Sequence, residues 1–443
     1  MEPQRTSLVT DLRPVDLTGM PASVPGKPRE AVVLSGGGAN GAYEVGVLKA
    51  LFAGKCRCVG TIDPELYFGT SIGSYNAAFM VSQWGEFGPA AISNLERTWL
   101  ESLAGSVGSN GAYRFRGDPA YFLDPAVYVP NPLRPLAELF GDGAFLTWEA
   151  IQRAVDLVSR RDESLRERIA NLFDFSAFIS TEPWDQTIRR TIKFASIRAE
   201  EKVRLAVAAT NWATGTLRMF ENHDMTEQIG PLSIRASSAI PGIFPQVQVG
   251  AEPYVDGGVL LNTPLMPALD AGADVLHVIY LDPDIATIPL DALNSTVATT
   301  YRMQAISWAA LVNRDIDRVE RINRGLAAFA RIQRGEPLGN AEMESLAKGA
   351  IMVLGGTHLR TYRPITIHRY HPREELSSGP LGLLDLERGH IEALIDKGFM
   401  DARLHDCVKE KCVLPEVPLD LATLVALQVP VAVSGAGSAA GRR

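Results

Sequence analysis

Residues 32–48 read VVLSGGGANGAYEVGVL, which is an apolar run, a glycine-rich turn and then a helical pattern. The segment 30–36 predicts a buried strand, because it is short, apolar and closed by glycine. Beyond the turn, Ala42, Val45 and Leu48 recur at helical spacing. A strand, a tight turn and a helix in succession are typical of the α/β class.

A second segment, residues 65–84, reads ELYFGTSIGSYNAAFMVSQW and repeats this order of strand, turn and helix. Two such units predict a mainly parallel sheet that is covered by helices on both faces. Apolar, β-branched runs predict further strands at residues 191–197, 203–212, 215–220, 273–283 and 362–370.

The predicted organisation is one α/β domain with extensions at both ends. Residues 1–29 are rich in proline and polar groups and predict an extended arm. The domain itself spans 30–405 and carries charged, helical inserts at about 93–200 and 291–349. Residues 406–443 predict a tail that is partly disordered, because its end consists of small residues and glycine.

The glycine-rich turn has two chemical interpretations. Gly36, Gly38 and Gly41 satisfy the pattern G-x-G-x-x-G, and Asp63 lies about 20 residues farther on, as in dinucleotide-binding folds. A Rossmann-type oxidoreductase is therefore one hypothesis. The other is an oxyanion hole, in which bare backbone lets N–H groups reach a developing negative charge.

Residues 69–73 form a G-x-S-x-G pentapeptide between a predicted strand and a predicted helix. This context is the one that a nucleophile elbow requires. Gly69 and Gly73 allow a sharp turn, and Ser71 lies at a helix N-terminus, which favours negative charge. The alternative is a serine that only caps the helix.

A serine nucleophile needs a base, and Asp256 is the first candidate. It ends a strand-like run and is followed by Gly257 and Gly258, which mark a bend where close approach is needed. The alternative is an ordinary Asp-Gly turn. A histidine could instead complete a Ser-Asp-His triad of the α/β-hydrolase type; the histidines considered are His277, His358, His368, His371 and His390.

Taken together, these stretches resemble the patatin-like phospholipase family. The matching segments are SGGGANG at 35–41, GTSIG at 69–73, RASSAIPGIFP at 235–245, DGG at 256–258 and a C-terminal stretch at 381–402. Their order along the chain also agrees, and the resemblance runs from about residue 31 to residue 402.

The resemblance implies a three-layer α/β/α fold with a mainly parallel central sheet and helical insertions. It further implies hydrolysis of phospholipid or lysophospholipid esters by a dyad of Ser71 and Asp256, with no histidine base and no cofactor. The oxyanion hole would be the backbone of Gly36, Gly37, Gly38, Ala39, Asn40 and Gly41. Many members carry Arg or Lys at the position of Asn40, so substrate preference is open. Relatives often have Thr-Asp where this chain has Ala209–Asn211, a difference with no physical explanation in the sequence.

Charge and apolar content limit which binding partners and which cellular compartment are expected. The formal charge of -8 argues against nucleic-acid binding. The N-terminal sequence does not resemble a signal peptide and no apolar run is long enough to span a bilayer, which predicts a cytoplasmic protein. A lipid substrate implies peripheral contact with a membrane, for which the two helical inserts and residues 421–433 are candidates, with ordinary core packing as the alternative. The oligomeric state is left open.

The cysteines predict reduced thiols and no metal site. The chain has four of them, too few for a disulfide framework at this length. The spacings C-x-C and C-x4-C differ from the usual zinc knuckles, so a structural zinc ion is the minor alternative. The cysteines are Cys56, Cys58, Cys407 and Cys412.

Overall fold

The computed structural model describes residues 27–106, 109–117, 133–159, 179–281, 296–333, 364–374 and 380–415, together with 335, 337, 339 and 376. Nearly all of the predicted arm, the tail beyond residue 415 and His358 lie outside these residues. The predictions for those segments therefore stay predictions.

An eight-stranded sheet forms the centre of the described structure. The strands of the chain are β1 (Glu30–Leu34), β2 (Leu66–Thr70), β3 (Arg114–Phe115), β4 (Ile179–Ser180), β5 (Arg204–Asn211), β6 (Thr216–Glu221), β7 (Val247–Val249), β8 (Glu252–Asp256), β9 (Val275–Ile279) and β10 (Thr366–Tyr370). The sheet order is β10-β9-β1-β2-β5-β8-β7, with β6 also paired to β5, while β3 and β4 form a separate ribbon. Strands β9, β1, β2 and β5 are parallel, and β6, β7 and β8 pair antiparallel at the other side.

Helices cover both faces of the sheet, which confirms the predicted three-layer α/β/α class. They are α1 (Gly41–Phe52), α2 (Ile72–Phe87), α3 (Ala91–Thr98), α4 (Arg134–Ser159), α5 (Glu182–Thr191), α6 (Phe194–Ala199), α7 (Ile229–Ser237), α8 (Leu265–Asp270), α9 (Thr296–Gln333) and α10 (Arg388–Arg403). Single turns of 3-10 helix occur at Gly38–Asn40 and Gly257–Val259, among others. Among the described helices, none combines the length and apolar character needed to cross a bilayer.

The central elements are buried on all sides, as their composition predicts. Strands β1 and β2 are almost continuously apolar because helices cover both of their faces. Helix α1 is buried over nearly its whole length, and α10 packs closely along it. A Cβ at Gly46 of α1 would collide with the backbone of Ile395, and one at Gly398 of α10 with that of Tyr43.

One predicted strand is wrong. The sequence predicts an extended segment at residues 191–197, but α6 begins at Phe194. The apolar residues that decide this are Phe194 and Ile197, which are three positions apart and both buried, so they lie on one face of a helix. A short apolar run does not by itself distinguish the two structures.

The described chain divides into two compact units. Residues 28–315 and 367–412 belong to the first unit, and residues 316–366 to the second. Within the second unit, the side-chain amide of Asn323 pairs with the backbone of Ile365 through both its oxygen and its nitrogen. The predicted domain boundaries at residues 30 and 405 stay predictions.

Candidate active site

Ser71 lies in the sharp turn between β2 and α2, in the conformation of a nucleophile elbow. Its φ of 54° and ψ of -125° are strained for a residue with a side chain. Both flanking glycines are required by close packing, since a Cβ at Gly69 would meet the Gly73 carbonyl and one at Gly73 would lie 2.7 Å from the Leu34 carbonyl. The Ser71 N–H donates to Oγ of Ser237 at 2.9 Å, which holds the turn.

Asp256 ends β8, and the side chain of Ser71 is near enough to its carboxyl group to lower the pKa of that group. Its carboxylate also accepts the N–H of Gly258 at 2.7 Å. Burial raises the pKa of Asp256 to about 7, although the bonds from Gly258 and Ser71 act in the opposite direction. A carboxylate that is half ionised near neutral pH can accept a proton from the serine hydroxyl.

The glycine-rich loop follows β1 and passes directly beside Ser71. A Cβ at Gly36 would lie 2.9 Å from Cβ of Ser71. Gly38 has a φ of +56°, and a Cβ there would collide with the backbone oxygen of Leu383. Gly38 and Ala39 begin a turn of 3-10 helix, so their N–H groups have no acceptor within that helix. Both residues line the same cavity as Ser71.

The remaining loop glycines serve packing. Gly37 lies against the side chain of Leu281, and Gly41 lies against that of Ile72. Asn40 is buried and its N–H donates to the carbonyl of Gly37 at 3.1 Å. Asn40 is not one of the residues that line the cavity. The predicted oxyanion loop thus divides into cavity-facing members and members that brace it.

The two glycines after Asp256 also allow close packing. A Cβ at Gly257 would collide with the backbone oxygen of Ala208 on β5. The carbonyl of Gly258 accepts a hydrogen bond from the indole N–H of Trp308 on α9. The bend at Asp256 is therefore fixed from both sides.

A cavity that is open to solvent lies beside Ser71. Its walls are mainly apolar, and they consist of Gly38, Ala39, Ser71, Ile72, Leu103, Ala112, Tyr113, Thr181, Trp184, Arg235, Ser238, Ala239, Ile240, Phe244, Pro245, Val247, Leu383, Leu384 and Leu386. Arg235 is the one charged residue among these described residues, and its guanidinium pairs with Asp185 at 3.1 Å. Apolar walls with a few polar groups suit a ligand that has an acyl chain.

Sequence reasoning missed several residues that support the site. The side-chain amide of Asn262 donates to the carbonyl of Gly36 at 3.2 Å, and its backbone carbonyl accepts the Gly36 N–H. Asn262 lies in the stretch after Asp256, and Ser237 lies in the segment 235–245. Both residues therefore lie in or next to motifs that the sequence analysis identified. Which atoms they contact could not be predicted, because the contacts depend on the fold.

A buried network of polar side chains lies behind the loop. In the sequence its members appear only as single polar residues within apolar helices, which does not predict that they contact one another. Asn76 donates to Glu44 at 2.8 Å and to the carbonyl of Gly41 at 3.0 Å, and accepts the indole N–H of Trp99. Burial raises the pKa of Glu44 well above its usual value. The network joins α1 to α2 at the points where the two motifs enter their helices.

The geometry gives no support to a histidine base. None of the described histidines lines the cavity that contains Ser71. His277 is buried inside β9, where burial, followed by the neighbouring His368 and His405, lowers its pKa to about 3.

The dinucleotide interpretation fails on the position of Asp63. The N–H of Asp63 donates to the carboxylate of Glu30, which is the first residue of β1, whereas the glycine-rich loop follows the last. The first and last residues of this five-residue strand are four steps, or about 13 Å, apart. Asp63 and the glycine-rich loop therefore lie at opposite ends of β1. They are too far apart to bind the ribose and the pyrophosphate of one dinucleotide.

The chain matches one family model and is similar to a solved structure. Residues 32–269, more than half of the chain, match the family model described as Patatin-like phospholipase, and the range includes Ser71 and Asp256. Among solved structures, the chain is similar to VipD from Legionella pneumophila, with 15% identity and a TM-score of 0.33. That alignment covers 85% of this chain and 66% of VipD, so the chain spans slightly less than two thirds of that protein. No curated protein matches the chain.

Proposed function

The chain belongs to the patatin-like phospholipase family, and on this premise we propose that it cleaves ester bonds of phospholipids or lysophospholipids with Ser71 and Asp256. The observation that carries the proposal is that the strained Ser71 has next to it the carboxyl group of Asp256, whose pKa burial raises to about 7. The dyad needs no third residue, because burial alone brings the carboxylate into the pKa range of a useful base.

In the acylation step, Oγ of Ser71 attacks the ester carbonyl carbon while Asp256 accepts the hydroxyl proton. The carbonyl oxygen becomes negatively charged and is bound by the N–H groups of the loop, among them those of Gly38 and Ala39. One such donor contributes about 3–4 kcal/mol to transition-state stabilisation. The intermediate then collapses, the C–O bond to the alcohol breaks, and Asp256 returns the proton to the departing alkoxide.

In the deacylation step, a water molecule takes the place of the leaving alcohol. Asp256 accepts one proton from this water as its oxygen attacks the acyl-enzyme carbonyl, and the same donors bind the oxyanion. Collapse breaks the bond to Oγ, and the proton on Asp256 passes to Ser71. The products are a free fatty acid and the unmodified enzyme.

The cavity supports a lipid substrate. Leu103, Phe244 and Leu384 are among its apolar walls and offer an environment in which an acyl chain is removed from water. Arg235 supplies a cation on the same wall, although Asp185 partly neutralises it. A phosphate-bearing headgroup beside an apolar chain matches this combination.

Peripheral contact with a membrane is part of the proposal, and α4 supports it. Phe140, Trp148 and Ile151 lie on one side of this helix and are each at least half exposed. The helix is fixed by Asp142, whose carboxylate accepts hydrogen bonds from Arg114 at one end of β3. An exposed stripe of large apolar residues is typical of a surface that meets another apolar phase.

The decisive experiment is labelling with a fluorophosphonate probe, followed by mapping of the modified residue by mass spectrometry. We expect the wild type to be labelled at Ser71 and to hydrolyse a lysophospholipid. Ser71→Ala should lose both properties, and Asp256→Asn should lose hydrolysis. Ser307→Ala removes an exposed serine on α9 and serves as the matched control, with both properties retained.

Two outcomes would contradict the dyad. Labelling of Ser71→Ala at the wild-type rate would place the nucleophile elsewhere. Loss of activity in a histidine variant such as His390→Ala, to the same extent as in Ser71→Ala, would replace the dyad with a triad.

A further inference from the structure

Four metal-ligating side chains converge at the edge of the sheet, outside the cavity. His368 comes from the edge strand β10, whereas His405, Cys407 and Cys412 come from the segment that follows α10. One nitrogen or sulfur atom of each lies within 4.8 Å of the corresponding atoms of the others. Both histidines are buried and both cysteines are half-buried free thiols.

Three of the six distances between these atoms are close to those of a tetrahedral arrangement around one ion. Nε2 of His405 lies 3.6 Å from Sγ of Cys407 and 3.3 Å from Sγ of Cys412. Nδ1 of His368 lies 3.6 Å from Sγ of Cys407. With typical Zn–S and Zn–N bonds, the nitrogen–sulfur edge of a tetrahedron is about 3.6 Å.

We propose that His368, His405, Cys407 and Cys412 bind one Zn²⁺ ion in a closed structural site. Two imidazole nitrogens and two thiolates form the donor set that selects zinc among the common divalent ions. All four positions of the tetrahedron are filled by protein, so no position is left for a substrate or a reactive water. The site is separate from the ester chemistry and would hold even if the protein had another activity.

Groups around the cluster are arranged as an outer shell would be. The backbone N–H of Arg369 points at Sγ of Cys412 at 3.3 Å, and such N–H bonds stabilise a thiolate ligand. The thiol of Cys58 donates to the carbonyl of His405 at 3.4 Å and so fixes that residue from the other side. The ring of Tyr370 lies 4.6 Å from the ring of His405.

The ion would join residues 405–412 to the edge of the sheet. Residues 405–412 contain no long helix or strand of their own in the described structure, and the ligands would attach them to β10. They directly follow α10, which packs along α1, the helix that begins at the glycine-rich loop. Structural zinc contributes directly to folding free energy. We therefore expect the metal to stabilise this layer of the molecule.

The first test is elemental analysis of the full chain, purified under reducing conditions and incubated with zinc sulfate before desalting. We expect one zinc per chain. Cys407→Ser combined with Cys412→Ser should reduce this to below one tenth, because both sulfur ligands are lost. Cys56→Ser changes a buried thiol outside the cluster and is the matched control, which should retain one zinc.

The second test does not depend on the folding of a variant. Wild-type protein loaded with Co²⁺ should show the intense visible bands of a tetrahedral ion and near-ultraviolet thiolate charge transfer. In a separate measurement, the unfolding temperature of the zinc-loaded wild type should fall when a chelator removes the zinc and should recover when zinc is added back. A metal-free wild type after zinc incubation, a six-coordinate cobalt spectrum, or a Cys407–Cys412 disulfide in the reduced preparation would each overturn the proposal.

Discussion

At the scale of single residues, the site depends on one property of Asp256. The carboxyl group is buried where its ionised form is poorly solvated, and this raises its pKa to about 7. Ser71 is held beside it by a strained backbone, which close packing around Gly69 and Gly73 maintains. Burial of Asp256 thus makes its carboxylate a stronger base than an exposed one.

The pH dependence of hydrolysis follows from this pKa. Only ionised Asp256 can accept the serine proton, so kcat/KM should rise with pH through a midpoint near 7 and then level off. Well below the midpoint it should fall about tenfold per pH unit, because that is the decline of the ionised fraction. The measurement is a pH profile with a soluble short-chain ester. A midpoint near 4, the value for an exposed carboxyl, would contradict the role of burial.

The glycine-rich loop yields a second test at a single position. Gly38→Ala forces a side chain onto a left-handed backbone and into the Leu383 carbonyl, so the loop must shift away from the oxyanion. We expect kcat/KM to fall by about 100-fold or more, the effect of losing one oxyanion donor. Gly88→Ala is the matched control, since its φ of +54° is nearly the same but open space surrounds it.

Gly88→Ala should retain activity within about twofold of the wild type, since strain at the end of α2 costs stability without moving the loop. Equal losses in the two variants would show that backbone strain, and not displacement of the loop, explains the effect.

At the scale of elements, the sequence predicts those that its own residues determine. Strands β1 and β2 and helices α1 and α2 can be identified because an apolar run, a glycine turn and a helical period follow one another locally. The antiparallel pairing of β8 with β5 was not predicted, since pairing across the sheet depends on distant segments. Helix α6 was predicted as a strand for a related reason: its six residues are too short for periodicity to decide.

The cluster of His368, His405, Cys407 and Cys412 could likewise not be predicted from local sequence patterns. Cys407 and Cys412 have an unusual spacing, and His368 lies far from them along the chain. Their convergence comes from the place of β10 at the sheet edge and the return of the chain after α10. Ser71 and Asp256, by contrast, lie in stretches with a recognisable local pattern, so the amino-acid sequence alone is enough to select them.

The contact between α1 and α10 gives a prediction at this scale. Gly398→Ala places a methyl group against the Tyr43 backbone, which cannot yield without moving α1. We expect the free energy of unfolding to fall by about 1–3 kcal/mol, as for other overpacked cores. Gly389→Ala, on the same helix but facing open space, is the control and should be neutral or stabilising by up to about 1 kcal/mol.

Chemical denaturation of the two variants and the wild type, followed by circular dichroism, provides the comparison. If Gly398→Ala were as stable as Gly389→Ala, the two helices would not pack as closely as the structure has them.

At the scale of the whole molecule, the proposed cleavage of a lipid would need two features to act together. The cavity removes an acyl chain from water, and Tyr113 on its wall donates to the carbonyl of Leu384. The next residue, Arg114, binds the Asp142 carboxylate of α4. Burial alone would raise the pKa of Asp142, but the hydrogen bonds and charge of Arg114 hold it below its usual value. The exposed stripe of α4 is therefore anchored next to the cavity wall by a pair that stays charged at neutral pH.

This arrangement predicts that vesicle binding and ester chemistry can be separated. Phe140→Ser combined with Trp148→Ser removes two large exposed side chains from α4. Less apolar area would then be buried in the membrane, so binding to phospholipid vesicles should weaken about tenfold or more. Hydrolysis of vesicle lipid should fall in parallel, while hydrolysis of a soluble short-chain ester should be unchanged. Phe87→Ser is the matched control: this exposed aromatic residue ends α2, about 24 Å along the helix from Ser71. Cosedimentation with vesicles measures binding, and loss of soluble-ester hydrolysis in the double variant would instead assign α4 to the integrity of the cavity.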